Sequence, residues 1–270
     1  MKRTQIKTSQ RIVVKIGTSS LTYANGNINL QRMEKLARVL SDLMNQGKHI
    51  VLVTSGAIGV GVGKLKLASR PSSTREKQAV AAVGQSELMH LYSKFFLEYG
   101  HIVGQILLTS RDVEEAQSRQ NLINTFDTLL EKGILPIVNE NDSVSTEELE
   151  FKHALFSEND TLSAIVASLI SADTLILLSD IDGLYDEDPH INPNAQLIHD
   201  VYAIDDALFQ HSTGITSNRG TGGMTTKLRA AQIATEAGIN MLILQGENPE
   251  LLYDALDGAE IGTLFYAKDK

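Results

Sequence analysis

Apolar residues gather in six short runs, Ile12–Ile16, Ile50–Val53, Val103–Leu108, Ile134–Val138, Thr174–Leu178 and Met241–Leu244, each closed by turn or polar residues. The runs are β-branched or leucine-rich and do not alternate, which is how parallel strands read when both faces are covered. Between them the apolar positions recur at intervals of three and four. Leu30–Gln46 places Leu30, Met33, Leu36, Ala37, Leu40 and Leu43 on one helical face and stops at Gly47, a residue type that tolerates a left-handed C-cap. Thr74–Glu98, Ser118–Lys132, Thr161–Ser171 and Met224–Ala237 read as helices in the same way. This alternation predicts an α/β fold, a parallel sheet with helices on both faces. A TIM barrel also fits the length and the order. Two stretches break the pattern: Asp186–Ala195, with Pro189 and Pro193, reads as a long turn, and Thr213–Gly223 is glycine-rich. Neither reads as a linker between independent units. Residues 1–270 are therefore expected to form a single domain, with two lobes that divide at about residue 170.

Ligands of open parallel sheets bind beyond the carboxyl ends of the strands, and chemistry-bearing residues follow several of the runs. Lys15 sits inside the first run, ahead of Gly17, as a snorkelling side chain or a cation aimed at an anion. Thr54-Ser55-Gly56-Ala57 opens a stretch with glycines at 56, 59, 61 and 63. Each glycine costs roughly 1 kcal/mol in a helix interior, so four of them point to close backbone approach, by a ligand or by another element. Neither the P-loop nor the dinucleotide pattern is met there. Ile134–Val138 ends in Asn139-Glu140-Asn141-Asp142, a recognition surface for a small polar ligand or a solvated turn. Asn159 or Asp160 suits an N-cap, which leaves the other to be explained. Ser179-Asp180 ends the fifth run, in a turn that contacts a nucleotide or simply reverses the chain. Gly220-Thr221-Gly222-Gly223-Met224-Thr225-Thr226-Lys227 opens a helix with glycines and a first-turn lysine. The helix dipole disfavours a cation at that end unless an anion such as phosphate sits nearby.

Composition narrows the chemistry. The chain has no cysteine, which removes thiol catalysis, disulfides and cysteine-ligated metals. Its seven histidines lie at 49, 90, 101, 153, 190, 199 and 211, with no metal-ligand spacing among them. Acidic residues outnumber basic ones 33 to 24, for a net charge of −9, which argues against nucleic acid as a partner. Its longest uncharged window, Ile50–Gly63, is too short to span a membrane, and no signal peptide is visible, so a cytoplasmic location is expected.

Seven ordered stretches resemble the glutamate 5-kinases of the amino acid kinase family. They are Val13–Ser19, Val53–Ala57, Ala82–Gln85, Val138–Asp142, Asn159-Asp160 with Leu162–Ala164, Ser179-Asp180 with Gly183–Tyr185, and Gly220–Met224 with Thr226-Lys227. Other amino acid kinases share the lysine-bearing first strand but are not expected to combine the Thr-Ser-Gly-Ala and Asn-Glu-Asn-Asp stretches. The resemblance implies a three-layer α/β/α sandwich around a mostly parallel sheet. It also implies ATP-dependent phosphorylation of the γ-carboxylate of L-glutamate, the first step of L-proline synthesis. The chain is similar to the short form of the family, which lacks a C-terminal PUA domain. It departs from the common pattern at Ser157-Glu158, where Gly-Asp is usual.

By the same resemblance, Lys15 contacts the transferring phosphoryl group, Lys227 steadies charge on the leaving ADP, and Asp160 orients both. Ser55, Gly56, Ala57, Asn139, Asp142 and Asn159 correspond to the glutamate side, expected in the N-terminal lobe. Lys15, Gly17, Ser179, Asp180, Thr221, Gly222, Gly223, Met224, Thr225, Thr226 and Lys227 correspond to the ATP side, the last nine of them in the C-terminal lobe. Mg²⁺ is expected mainly on phosphate oxygens and water, with no protein metal site. Feedback inhibition by L-proline, hand-over of product to glutamyl phosphate reductase and a homo-oligomer are further expectations. Two other readings stand beside this one: a kinase of a different acceptor, and a non-catalytic nucleotide-binding regulator. The regulator is expected to lack Lys15, Asp160 or Lys227, and all three are present.

Overall fold

All six apolar runs become strands of one sheet in the computed structural model, which describes residues 3–23, 27–145, 158–189, 191–206, 208–209 and 223–268. The strands are β1 (Arg11–Ile16), β2 (His49–Val53), β3 (Val103–Leu108), β4 (Leu135–Glu140), β5 (Thr174–Ser179), β6 (Leu184–Tyr185), β7 (Leu197–Ile198), β8 (Asp200–Val201), β9 (Asn240–Gln245) and β10 (Thr263–Phe265). Eight of them form an open sheet in the order β3-β4-β2-β1-β5-β9-β10-β8, so the TIM barrel does not apply. Its pairs are parallel except β9 with β10. β6 and β7 pair antiparallel, and the proline-bearing turn 186–195 connects them.

The helices are α1 (Thr4–Lys7), α2 (Thr18–Leu21), α3 (Leu30–Asn45), α4 (Ala57–Leu65), α5 (Thr74–Glu98), α6 (Ser110–Glu114), α7 (Ala116–Glu131), α8 (Asn159–Leu169), α9 (Met224–Glu236) and α10 (Leu251–Leu256). Strand side chains alternate between the two faces, and two apolar cores result. Ile12, Val14 and Ile16 of β1 join Leu52, Ile137 and Ile176 beneath α3 and α5. Val13 joins Val51, Val53, Leu175 and Leu177 beneath α7, α8 and α9. Helices, sheet and helices make three layers. Among the described residues no helix is long and apolar enough to cross a membrane.

Three differences from the sequence reading matter. The glycine-rich stretch after β2 is the helix α4, and its Gly61 serves close contact with α5. A Cβ on Gly61 would lie 2.1 Å from the Val80 carbonyl oxygen, and one on Gly84 would lie 1.7 Å from that of Ala57. Only hydrogen at these positions lets the two helix backbones approach. Second, β4 runs on through Asn139 and Glu140, which the apolar run placed beyond its end. Third, α8 begins at Asn159 with Glu158 at the N-cap and no side-chain capping bond, so neither Asn159 nor Asp160 is the cap.

Candidate active site

β1 lies between β2 and β5, at the centre of the sheet, and all three strands are parallel. Their carboxyl ends therefore open at one edge, where α2, α4 and α8 begin nearby. Strand parity then decides which layer each end residue meets. Lys15, in register with Val53 and Leu177, shares the face of Val13 and points toward α8 and α9. Asn139 shares the face of Ile137 and points toward α5.

On the α8–α9 side three charged groups meet. Lys15 Nζ lies 2.6 Å from Asp160 Oδ1, and Lys227 Nζ lies 3.4 Å from Asp160 Oδ2. The Thr226 hydroxyl donates to the same Oδ2 at 3.0 Å. Asp160 and Lys227 are 4% and 5% exposed. Burial pushes the Asp160 carboxyl upward, but the ammonium groups of Lys15 and Lys227 outweigh it, helped by hydrogen bonds from Lys15 and Thr226. They hold Asp160 far below the usual carboxylate range. The anion that makes a first-turn lysine tolerable is thus resident in the protein: it is Asp160.

Glu158 stands one residue before α8. Burial raises its pKa, Arg229 opposes the rise, Asp160 adds to it and Lys227 opposes it. Three cations and two carboxylates therefore bear on this corner, beside the N-termini of α8 and α9, where unpaired backbone N–H groups add partial positive charge. Such a corner suits a polyanion. Among the described residues neither Glu158 Oε2 nor Asn159 Oδ1 has a hydrogen-bond partner, although both atoms are buried.

Other predicted residues lie at or just after the carboxyl ends of β1, β2 and β4. A Cβ built on Gly17 would lie 3.6 Å from Lys15 Nζ, which puts that backbone beside the ammonium. Ser55 Oγ lies 3.1 Å from Thr18 Oγ1, tying the end of β2 to the start of α2. Gly56 adopts the left-handed conformation with φ 99°, and a Cβ there would meet the Thr18 side chain at 2.9 Å. Ala57 is buried in the core, so what it offers a ligand is backbone. The Asn139 carboxamide donates to Gln85 Oε1 at 2.8 Å. Asp142 lies in the turn after β4, where Ser145 N–H donates to the Asn141 carbonyl.

Toward the other edge, Ser179 ends β5 and its hydroxyl donates to Asp180 Oδ1 at 3.0 Å. Gly223 is the N-cap of α9, and Met224 and Thr225 supply first-turn N–H groups. The Met224 side chain is buried in the core. Thr221 and Gly222 lie outside the described residues, as do Gly220 and 146–157 of the segment Ser143–Ser157.

Sequence reasoning gave no role to Thr18, Gly246 or Arg229. A Cβ on Gly246 would lie 2.6 Å from Ser20 Oγ and 3.1 Å from the Ser179 carbonyl oxygen, which favours glycine just after β9. The available signal was position: Thr18 and Gly246 each follow a strand end.

The amino acid kinase family pattern matches residues 10–245. A glutamate 5-kinase of Clostridium perfringens is 58% identical over 266 residues, 98% of this chain and 98% of its own. One from Listeria monocytogenes serovar 1/2a is 54% identical over 267 residues, 98% of this chain and 96% of its own. Among solved structures, carbamate kinase from Giardia lamblia bound to AMP-PNP superposes with a TM-score of 0.67 at 17% identity, covering 97% of this chain and all (100%) of that one. UMP kinase from Bacillus anthracis gives 0.65 at 14% identity, with 97% of each chain covered. At such identities these two structures speak for the fold alone.

Proposed function

The chain belongs to the amino acid kinase family, among its glutamate 5-kinases, and on that premise we propose that the Lys15–Asp160–Lys227 cluster is its phosphoryl-transfer centre. The reaction moves the γ-phosphoryl group of ATP to the γ-carboxylate of L-glutamate. It yields ADP and γ-glutamyl phosphate and opens proline biosynthesis. The observation that carries the site assignment is one buried carboxylate holding two lysines from different elements.

The chemistry asks for little more. A glutamate side chain, with a reference pKa of about 4.3, is ionised at neutral pH, so no base is needed to make the nucleophile. The barrier is the approach of an anion to a polyanion, and catalysis rests on positioning and charge neutralisation. Asp160, held ionised by its neighbours, acts as an anchor for two flexible point charges and not as a proton donor. Lys15 neutralises the transferring phosphoryl oxygens, and Lys227 the charge that develops toward ADP. The backbone near Gly17 and Gly56 completes the cradle.

Glutamate is bound by Ser55, Gly56, Ala57, Asn139, Asp142 and Asn159, with Asp142 paired to the α-ammonium, in an N-terminal lobe to about residue 170. ATP is bound by Gly17, Ser179, Asp180 and Thr221–Lys227. Because Asp160 is taken up by two ammonium groups and a hydroxyl, Mg²⁺ is held mainly by phosphate oxygens and water. The same reading includes a cytoplasmic homo-oligomer, inhibition by L-proline and hand-over of γ-glutamyl phosphate to its reductase.

An ADP-release assay with Mg²⁺-ATP and a panel of acceptors tests the reading. L-glutamate is expected to give ADP release that Asp160→Ala abolishes. Release with another acceptor and none with glutamate would overturn the acceptor assignment. Full activity in Asp160→Ala would overturn the site.

A further inference from the structure

α5 carries Gln78, Gln85 and Tyr92 seven residues apart, a spacing that returns to nearly the same face every two turns. Gln85 bonds to a residue of the proposed glutamate site, and Gln78 and Tyr92 bond to residues that lie near others of that set in the chain. Gln78 Nε2 donates to the Ser145 carbonyl oxygen at 3.0 Å, in the segment that follows the turn after β4. Gln85 Oε1 accepts from Asn139 Nδ2 at 2.8 Å. Tyr92 and Thr54 share a hydroxyl–hydroxyl bond of 2.8 Å beyond the end of β2, and both are 0% exposed. The close approach of α4 through Gly84 holds this helix one residue before Gln85.

The Gln85–Asn139 contact has a chemical consequence. Gln85 and Asn139 are 8% and 1% exposed, so the pair is shielded from competing water. A carboxamide has a donor edge and an acceptor edge. With Gln85 presenting Oε1, Asn139 Nδ2 is committed to it, and turning Asn139 alone would set oxygen against oxygen. The acceptor Oδ1 is therefore the edge left for a ligand. An acceptor suits an ammonium group and repels a carboxylate.

We infer that Gln85 is a positioning residue: through its bond to Nδ2 it turns Asn139 Oδ1 to the α-ammonium of glutamate and so favours α-amino substrates. This rests on the reading of Asn139 as a glutamate-binding residue. Gln85 touches no reacting atom and acts only through Asn139.

Steady-state kinetics of Gln85→Met, Gln85→Glu, Asn139→Ala and Gln85→Met/Asn139→Ala test it, with L-glutamate and with glutarate, which lacks the α-amino group. Gln85→Met keeps the side-chain length and removes the acceptor. It is expected to raise KM for glutamate about tenfold and to lower the glutamate-to-glutarate preference in kcat/KM by a similar factor, the loss of about one hydrogen bond. KM for ATP stays within about twofold, since the Lys15 corner is untouched. Gln85→Glu, which keeps an acceptor at Oε1, retains most of the preference. The double variant is no worse than Asn139→Ala, because both act on one contact. If Gln85→Met does not fold, Gln85→Asn, which withdraws the acceptor by one methylene, takes its place.

An unchanged preference in folded Gln85→Met, or additive losses in the double variant, would overturn the inference while leaving Asn139 in its role. Normal glutamate kinetics in Asn139→Ala would overturn both.

Discussion

Lys15 Nζ, on the central strand β1, stands 2.6 Å from Asp160 Oδ1, in the first turn of α8. One ion pair thus joins the sheet to the helix layer at the edge where the parallel strands end. Removing the charge while keeping the shape, in Asp160→Asn, leaves two buried ammonium groups without their carboxylate. Breaking a buried pair in this way costs about 3–5 kcal/mol. The sign of the pH dependence follows from the lowered pKa of Asp160. Its stabilisation is complete above the unfolded carboxylate value of about 3.9 and is lost as pH falls through the lower folded value. Denaturation curves of the two proteins should therefore stay equally far apart from neutral pH down to about 3.9, then converge in stronger acid. A gap that closes nearer neutrality would assign the stabilisation to another group.

Glu158 has the opposite sign. Its folded pKa is raised, chiefly by burial, so the folded state holds the proton more tightly than the unfolded chain. Stability is then greatest below the ordinary glutamate value and declines as pH rises through the raised one. Glu158→Gln removes that decline. Thermal melts should show the variant more stable than the parent at pH 8, with the advantage gone at low pH. Parallel Tm curves would mean that Glu158 titrates alike in both states.

The α4–α5 contact predicts a contrast between two glycines. In Gly84→Ala the new methyl meets backbone of α4, and the helices must part. Overpacking of this kind costs about 1–3 kcal/mol. A Cβ on Gly59 meets only a Thr18 methyl at an ordinary 3.6 Å, so Gly59→Ala should keep or raise Tm. Equal melting of the two variants would remove the packing account of this stretch.

Proline carries the α-carboxylate and a protonated α-nitrogen of glutamate but no γ-carboxylate. If it occupies the amino-acid end of the pocket, raising glutamate relieves its inhibition, and Asp142→Ala weakens both ligands together. Velocities at several fixed glutamate concentrations decide. Inhibition that glutamate does not relieve would place proline elsewhere.

Much of this architecture is legible in the residues. The six apolar runs fall on the six long strands, and Thr74–Glu98 matches α5 end for end. Strands of two or three residues, such as Leu197–Ile198 and Thr263–Phe265, are too short to leave a pattern. Side-chain direction is hidden for a different reason. Strands buried on both faces lose the alternation that reports parity, so the sequence around Lys15 and Asn139 does not say that one faces α8 and the other α5. Gly61 was legible as close approach but its partner was not, and Gly84 gave no such signal. The residues around Lys227 call for an anion without naming Asp160, 67 positions away in the chain, which only the family resemblance paired with it.

The account stands on Lys15 and Lys227 acting on the transition state. Steady-state kinetics of Lys15→Ala and Lys227→Ala, with both substrates varied, measures this most directly. Each substitution should lower kcat by about 10²–10³-fold while KM for glutamate stays within about threefold, the signature of a contact made in the transition state. A kcat near that of the parent enzyme with a large rise in KM for glutamate would contradict it and make the lysines substrate-binding groups instead.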